Sequence, residues 1–318
     1  MATIKDIAEL AGVSPSTVSR ALNKSPLIPA TTRKKILAVA QQMNYKPNRN
    51  ARKLVLKSND EKVAGIVFPD VIHNFYYEVL KGINEKLLEA HYNLMVFNMI
   101  QERKRFFSRI INYDLSALFL LGCAPLTFSE KKLLRENGIP CIYLDYYDKG
   151  SDCVYCDNEL GGRLAARYLL EKGAENIAYI GISNESIQQD QRFMGFKKEL
   201  TGNSSRIKYI KYASKVEEEA YFVTAQLLEA NPGIDGIFYF CDELAYGGTR
   251  AVAEYNLPIS IVGFDDLYPS RFVPLTTVKQ PAYQMGYKGT ELLLQSLHSP
   301  GGRKPAAVRL QPELIIRN

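Results

Sequence analysis

Apolar residues recur once per helical turn at the start of the chain, and this spacing predicts three short helices between residues 3 and 44. Ile4, Ile7, Ala8 and Ala11 form the first stripe, and Thr3-x-x-Asp6 has the form of a capping box. Gly12-Val13 interrupts the pattern. Ser14 then reads as an N-cap with Pro15 at the first helical position. Val18, Ala21 and Leu22 form the apolar face of a second helix ending near Asn23. A loop with Pro26 and Pro29 precedes a third helix, starting at Thr31 or Thr32, with Ile36, Val39, Ala40 and Met43 inward. Pro47 stops that helix, and Asn48 is placed to cap a short new one. The segment to about Asn59 has charges but few apolar anchors, so it reads as a linker that is helical only when supported.

From Val63 the period changes. Short apolar runs (VAGIVF, YNLMVFN, ALFLL, CIYLD, then NIAYIG, IKYIKY, GIFYF and ISIVGFDD) alternate with amphipathic stretches. The helices fall near 75–90, 101–112, 158–172, 189–200, 217–230 and 242–255. Strands alternating with helices predict parallel sheets covered on both faces. About ten strands exceed one compact open sheet, so the expected α/β fold is two doubly wound parallel-sheet lobes. A cleft lies at their strand C-terminal ends. The expected domains are a helix-turn-helix unit at 1–46, a hinge helix or linker at 47–60, and a two-lobed body at 61–318. Lobe 1 takes about 61–156 plus 282–303, and lobe 2 about 157–281 plus 304–318.

Composition narrows the classes. With 46% hydrophobic residues the chain is globular rather than disordered. No apolar run reaches the roughly 18 residues of a membrane span, so no membrane partner is expected. MATIKDIAEL lacks the pattern of a signal peptide, so the protein is expected to stay cytoplasmic. Five scattered cysteines argue for a reducing compartment, and the Cys153-x-x-Cys156 pair has no second pair or His cluster to complete a zinc site. Neither a metal nor a cofactor is expected.

Charge adds more. Residues 1–59 hold seven Lys and four Arg against only Asp6 and Glu9, while the whole chain is +6. A basic head on a mildly acidic body points to a polyanion partner. A helix-turn-helix would place its second helix in a major groove. Ser14, Ser16, Thr17 and Ser19 suit phosphate oxygens near that helix start, and the Arg20 fork suits guanine O6 and N7.

The stretch TIKDIAELAGVSPSTVSRALN, followed by TTRKKILAVAQQMNYKPNRNARKL, closely resembles the N-terminus of lactose-repressor (LacI/GalR) family regulators. DNELGGRLAARYLLEKGAENIAYIG, RFMGF, VGFDD and PLTTVKQP resemble that family's ligand-binding core, a two-lobed architecture similar to periplasmic binding proteins. The resemblance implies an operator-binding transcription regulator, a repressor of carbohydrate-utilisation genes, acting as a homodimer on a pseudo-palindromic site. It places Pro15 and Ser16 at the positions that choose operator sequence, and Arg20 at the guanine reader. Thr3, Ser14, Thr17, Ser19, Asn23 and Tyr45 match phosphate-positioning places. Asn48 to Leu54, including Arg49, match a hinge helix that folds in the minor groove, with Leu54 as its wedge. An apolar wedge between base steps kinks the duplex in exchange for wider contact.

The resemblance also implies a small-molecule effector, a sugar or sugar derivative, between the lobes. Arg192 matches the residue that grips it and Asp265 a carboxylate that accepts from its hydroxyls. Asn74, Phe75, Asp145, Phe196 and Asp242 are further candidates, with Phe75 or Phe196 available to stack on a sugar face. One departure stands out. Many relatives carry Asn before the residue matching Asp242, and here Cys241 cannot replace an amide's hydrogen bonds.

Catalysis is not expected. G-x-S-x-G, a P-loop and G-x-G-x-x-G after the first strand are all missing. Of His73, His91 and His298, only His73 lies where it could face a ligand. No heptad tail follows PELIIRN, so a tail-built tetramer is not expected. Two other classes remain as alternatives. A transport receptor would need a signal peptide and no basic head. A nonspecific architectural DNA binder would give no sharp footprint.

Overall fold

A computed structural model describes residues 3–22, 25, 27–43, 45, 62–69, 74–99, 102–184, 186–200, 206–298 and 303–317. The chain divides into two units, 1–60 and 61–318. Among the described residues of the first unit the regular elements are helices. Helices α1 (Ile4–Ala11), α2 (Pro15–Leu22) and α3 (Ala30–Gln42) pack around Ile7, Ala8, Ala11, Val18, Ala21, Ile28, Ile36 and Ala40. The expected capping box is present: Thr3 N donates to Asp6 and Asp6 N donates to Thr3 Oγ1. Gly12 closes α1 at φ +66°, a left-handed geometry that glycine adopts without steric cost. Helix α3 begins at Ala30, directly after Pro29, one or two residues ahead of the expected threonines.

The second unit holds two six-stranded sheets. The first contains β1 (Lys62–Phe68), β2 (Tyr92–Asn98), β3 (Ala117–Leu121), β4 (Cys141–Leu144), β5 (Asp152–Cys156) and β11 (Ala307–Leu310) in the order β11-β5-β4-β3-β1-β2. The second contains β6 (Ile177–Ile182), β7 (Ile207–Ala213), β8 (Gly236–Tyr239), β9 (Ser260–Asp265), β10 (Thr276–Lys279) and β12 (Glu313–Ile315) in the order β12-β10-β9-β8-β6-β7. Every pair is parallel except β10 with β12. Central strands β3 and β8 are buried at every position, as expected when helices cover both faces. Edge strands β2 and β7 keep several residues exposed.

Helices α4 (Asn74–Glu89), α5 (Arg103–Ile110), α6 (Phe128–Glu136) and α11 (Ala282–His298) belong to the first lobe. Helices α7 (Asn158–Glu171), α8 (Ile187–Glu199), α9 (Glu217–Ala230) and α10 (Asp242–Tyr255) belong to the second. The boundary expected at 304 is corrected. Strand β11 pairs with β5 in the first sheet, so lobe 1 runs on to Leu310 and only β12 returns to lobe 2. Three chain crossings thus join the lobes. No helix among the described residues is long and apolar enough to cross a membrane.

Strand alternation also separates the C-x-x-C pair. Cys153 packs with Tyr143 and Leu120 on one side of the first sheet, while Cys156 packs with Leu144 and Val154 on the other. Residues three apart on a strand face opposite ways, so this pair does not form a two-thiolate chelate.

Candidate functional site

In the helical unit, α2 turns Val18 and Ala21 inward and leaves Ser14, Pro15, Ser16 and Arg20 exposed. Ser14 Oγ accepts from Thr17 N at 3.2 Å and lies 2.8 Å from both the Ser16 and Thr17 hydroxyls. This cap gives the Thr17 N–H a side-chain acceptor beside Ser14 O, to which it also donates at 3.0 Å, and gathers three hydroxyls at the positive end of the helix. Thr17 and Ser19 are half-buried beside them, and Thr3 is exposed at the start of α1. Tyr45 is half-buried against the helical core, with its N–H donating to Ala40 O. Arg33, which the sequence reading did not single out, donates to Ser25 O at 2.7 Å and Ile28 O at 3.2 Å, tying those two residues to α3. Asn23, Asn48, Arg49, Leu54 and the rest of the hinge segment 47–60 lie outside the described residues, as does His73.

The larger unit encloses a cavity of about 590 Å³ between its lobes, at the C-terminal ends of both sheets. It brings together four of the expected effector residues: Phe75, Asp145, Arg192 and Asp265. Asp145 directly follows β4 and Asp265 ends β9. Both hold positive φ, +59° and +116°, and Asp266 follows at +55°. Non-glycine residues rarely adopt this backbone, and such strain concentrates at functional sites. The neighbours that hold it are visible. Gln280 Nε2 donates to Asp265 Oδ1 at 2.6 Å, and Arg317 donates to Asp266 Oδ1 at 2.6 Å.

Arg192 projects from α8 into a tight cage. Its Nε donates to Asn158 Oδ1 at 2.9 Å, its Nη1 donates to Phe240 O at 2.7 Å, and Asp265 Oδ1 lies 3.6 Å away. Its guanidinium stacks over Phe264 and Phe240, with ring centroids at 3.7 and 4.6 Å. The cage exists because α7 and α8 nearly touch. A Cβ on Gly162 would strike the Arg192 carbonyl, and one on Gly195 would strike Glu159 O.

Burial pushes the Asp145 carboxyl up to about 7, against the pull of Arg192. Burial likewise raises Asp265 to about 6, again opposed by Arg192. Gln188, from lobe 2, reaches across the cleft and donates to Asp145 O at 2.7 Å. Two buried wall atoms, Asp145 Oδ1 and Gln280 Oε1, have no hydrogen-bond partner among the described residues. Such acceptors are expected to be satisfied, which suits a ligand rich in hydroxyl donors.

Three expected effector residues lie elsewhere. Asp242 is fully buried in a cradle, where it accepts from Leu267 N at 2.9 Å, Ser270 Oγ at 2.6 Å and Thr277 Oγ1 at 2.6 Å. It fixes the loop after β9 and does not line the cavity. Phe196 sits one turn beyond Arg192 on the same helix face. The cavity opens only over the first turns of α8, so Phe196 packs instead on Phe238, centroid to centroid 4.8 Å. Asn74 lines a second cavity of about 380 Å³, which shares Phe75, Asp265 and Gln280 with the first.

The sequence reading missed Tyr76, Gln188, Lys215, Phe240 and Gln280, all on the main cavity wall. Ser183, Ser214 and Phe240 each follow the last residue of a strand, as Asp145 does. Positions just past strand C-terminal ends were therefore the usable signal.

A displayed helix on one unit and a cleft with converging polar groups in the other match two known patterns. Residues 3–48 match the model of bacterial regulatory proteins of the lacI family, and residues 166–318 match that of a periplasmic binding protein-like domain. The HTH-type transcriptional repressor PurR of Actinobacillus pleuropneumoniae serotype 5b (strain L20) is 30% identical, covering 100% of this chain and 98% of that one. The chain belongs to the LacI family. It is a DNA-binding transcription regulator, with the two-lobed body of that family. The lac repressor dimer, solved bound to operator and the anti-inducer ONPF, is 26% identical to this LacI-family chain. It covers 99% of this chain and 98% of the other at a TM-score of 0.71. A LacI family regulator from Enterococcus faecium with bound ribose is 25% identical over 80% of this chain and 97% of its own, at a TM-score of 0.72.

Proposed function

We propose that this protein is a cytoplasmic dimeric repressor whose hold on a pseudo-palindromic operator is set by a sugar-like effector in the interlobe cavity, and that it controls carbohydrate-utilisation genes. The observation that carries this reading is the joining, in one chain, of an exposed Ser14–Arg20 surface to a cavity lined by Asp145, Arg192 and Asp265. A single helix-turn-helix covers too little DNA for high specificity, and two-fold dimers on paired half-sites supply the rest. The lac repressor dimer on operator and the ribose-bound regulator support both halves of the proposal.

Within it, Pro15 and Ser16 read bases by shape and hydroxyl contact, Arg20 reads guanine, and Thr3, Ser14, Thr17, Ser19, Asn23 and Tyr45 hold phosphates. Asn48, Arg49 and Leu54 act in the minor groove. Asp145, Asp265, Gln188 and Gln280 take the effector's hydroxyls and Phe75 its apolar face, while Arg192 holds Asp265 in place. An effector shifts the equilibrium only if it binds the two lobe arrangements unequally.

Selection of genomic fragments by the full-length protein, followed by footprinting, tests this reading. The expected result is a protected site of two inverted half-sites, bound with an affinity that falls steeply with salt. Equal binding to selected and random fragments contradicts it.

A further inference from the structure

Asp145, Asp242 and Asp265 are buried carboxylates near strand ends, and they are not equally well met. Asp242 accepts from Leu267 N, Ser270 Oγ and Thr277 Oγ1. Asp265 lies 3.6 Å from Arg192 and accepts from Gln280 Nε2 at 2.6 Å. Asp145 differs. Its Oδ2 accepts from Gln188 Nε2 at a long 3.4 Å, its Oδ1 has no hydrogen-bond partner, and it forms no ion pair among the described residues. Yet it is more than nine-tenths buried on the cavity floor, just past β4. A buried carboxylate is ordinarily held by a cation or by several donors. Arg192 is engaged elsewhere, by Asn158, Phe240 O and Asp265, with two rings over it.

Burial raises the Asp145 carboxyl to about 7, with Asp265 adding to the rise and Arg192, Gln188 and Lys215 working against it. Those neighbours do not replace a cation in contact with it. The rest of the wall points the same way. Two buried side-chain atoms of the cavity, Asp145 Oδ1 and Gln280 Oε1, lack a partner among the described residues, and both are acceptors. A ligand hydroxyl donates once and brings lone pairs that need donors, whereas an ammonium brings three donors and no acceptor. Phe75, Tyr76 and Tyr146 line the same cavity, and aromatic faces attract cations.

We propose that the effector is an amino sugar whose ammonium group sits on Asp145. This rests on the effector-sensing reading above and changes it at one place, with an ammonium instead of a hydroxyl on that carboxylate. The sugar's own hydroxyls remain for Gln280 and the other polar groups of the wall.

Calorimetric titration of the full-length protein tests the proposal, with glucose, galactose and mannose, their amino counterparts glucosamine, galactosamine and mannosamine, and the N-acetyl derivatives of those amines. N-acetylation keeps the nitrogen and removes its charge. At least one amine is expected to bind tenfold or more tightly than both its neutral parent and its N-acetyl form. Asp145→Asn is expected to erase that advantage. The variant keeps the side chain's size, and asparagine suits the positive φ at this position. The wild-type comparison stands whether or not the variant folds. A neutral parent or N-acetyl form that binds as tightly as its amine overturns the proposal and leaves sugar sensing intact. An amine advantage unchanged in Asp145→Asn also overturns it. Binding by no member of the panel overturns both readings.

Discussion

At the scale of single residues, chemistry and position have to agree before a role follows. Arg20 meets both conditions: it has the guanine-reading fork and stands exposed on α2. Arg20→Ala is expected to weaken specific operator binding by about 1–3 kcal/mol and to relax one base position, as read by competition with single-base operator variants. Asp242 has the chemistry of a ligand carboxylate but the position of a structural one. Asp242→Ala leaves Leu267 N–H and the Ser270 and Thr277 hydroxyls without their shared acceptor, at an expected cost of about 3 kcal/mol in stability.

Its pH dependence has a definite sign. Burial raises the Asp242 carboxyl to about 8, with Asp265 adding to the rise, while the unfolded chain loses that proton near the ordinary carboxylate value of 3.8. The folded state holds the extra proton, so this group's stabilisation is complete in acid and is lost as pH rises from about 4 to about 8. Denaturant unfolding of wild type and Asp242→Ala across that range is expected to show a stability difference that narrows with rising pH. A difference that widens contradicts the assignment.

Elements explain which parts of the site were legible. The three N-terminal helices and the strand–helix alternation came from periodicity, because each apolar stripe or run faces one core. Helix α6 did not: it is only nine residues long with few apolar positions, although Thr127 and Glu130 form a capping box that marks its start. Strand β5 was seen only as a cysteine pair, and β11 was assigned to the wrong lobe, because strand order depends on pairings remote in sequence. The carboxylates of the site were foreseen by likeness to a family. Their positive φ, the Gln188 bridge and Lys215 were not, since these arise where separate strand ends meet. The α7–α8 crossing carries a consequence for function. Gly195→Ala is expected to cost about 1–3 kcal/mol in thermal stability by pushing α8 off α7, and to weaken effector binding as the Arg192 cage opens. Unchanged binding in a destabilised variant would separate the crossing from the site.

Over the whole molecule, two units with different chemistry share one chain. One displays hydroxyls and a guanidinium beside a net-positive segment, and the other encloses a small polar cavity with strained carboxylates at strand ends. The account requires that what enters the cavity changes what the head holds. The most direct test is fluorescence anisotropy of the selected operator duplex at one fixed salt concentration. It is run with and without the titrated sugar or amino sugar that binds most tightly. The account predicts an operator Kd that shifts at least tenfold with that compound, in either direction, and no shift when Asp145→Ala removes its floor contact. An operator Kd that is the same with the cavity saturated and empty would contradict it.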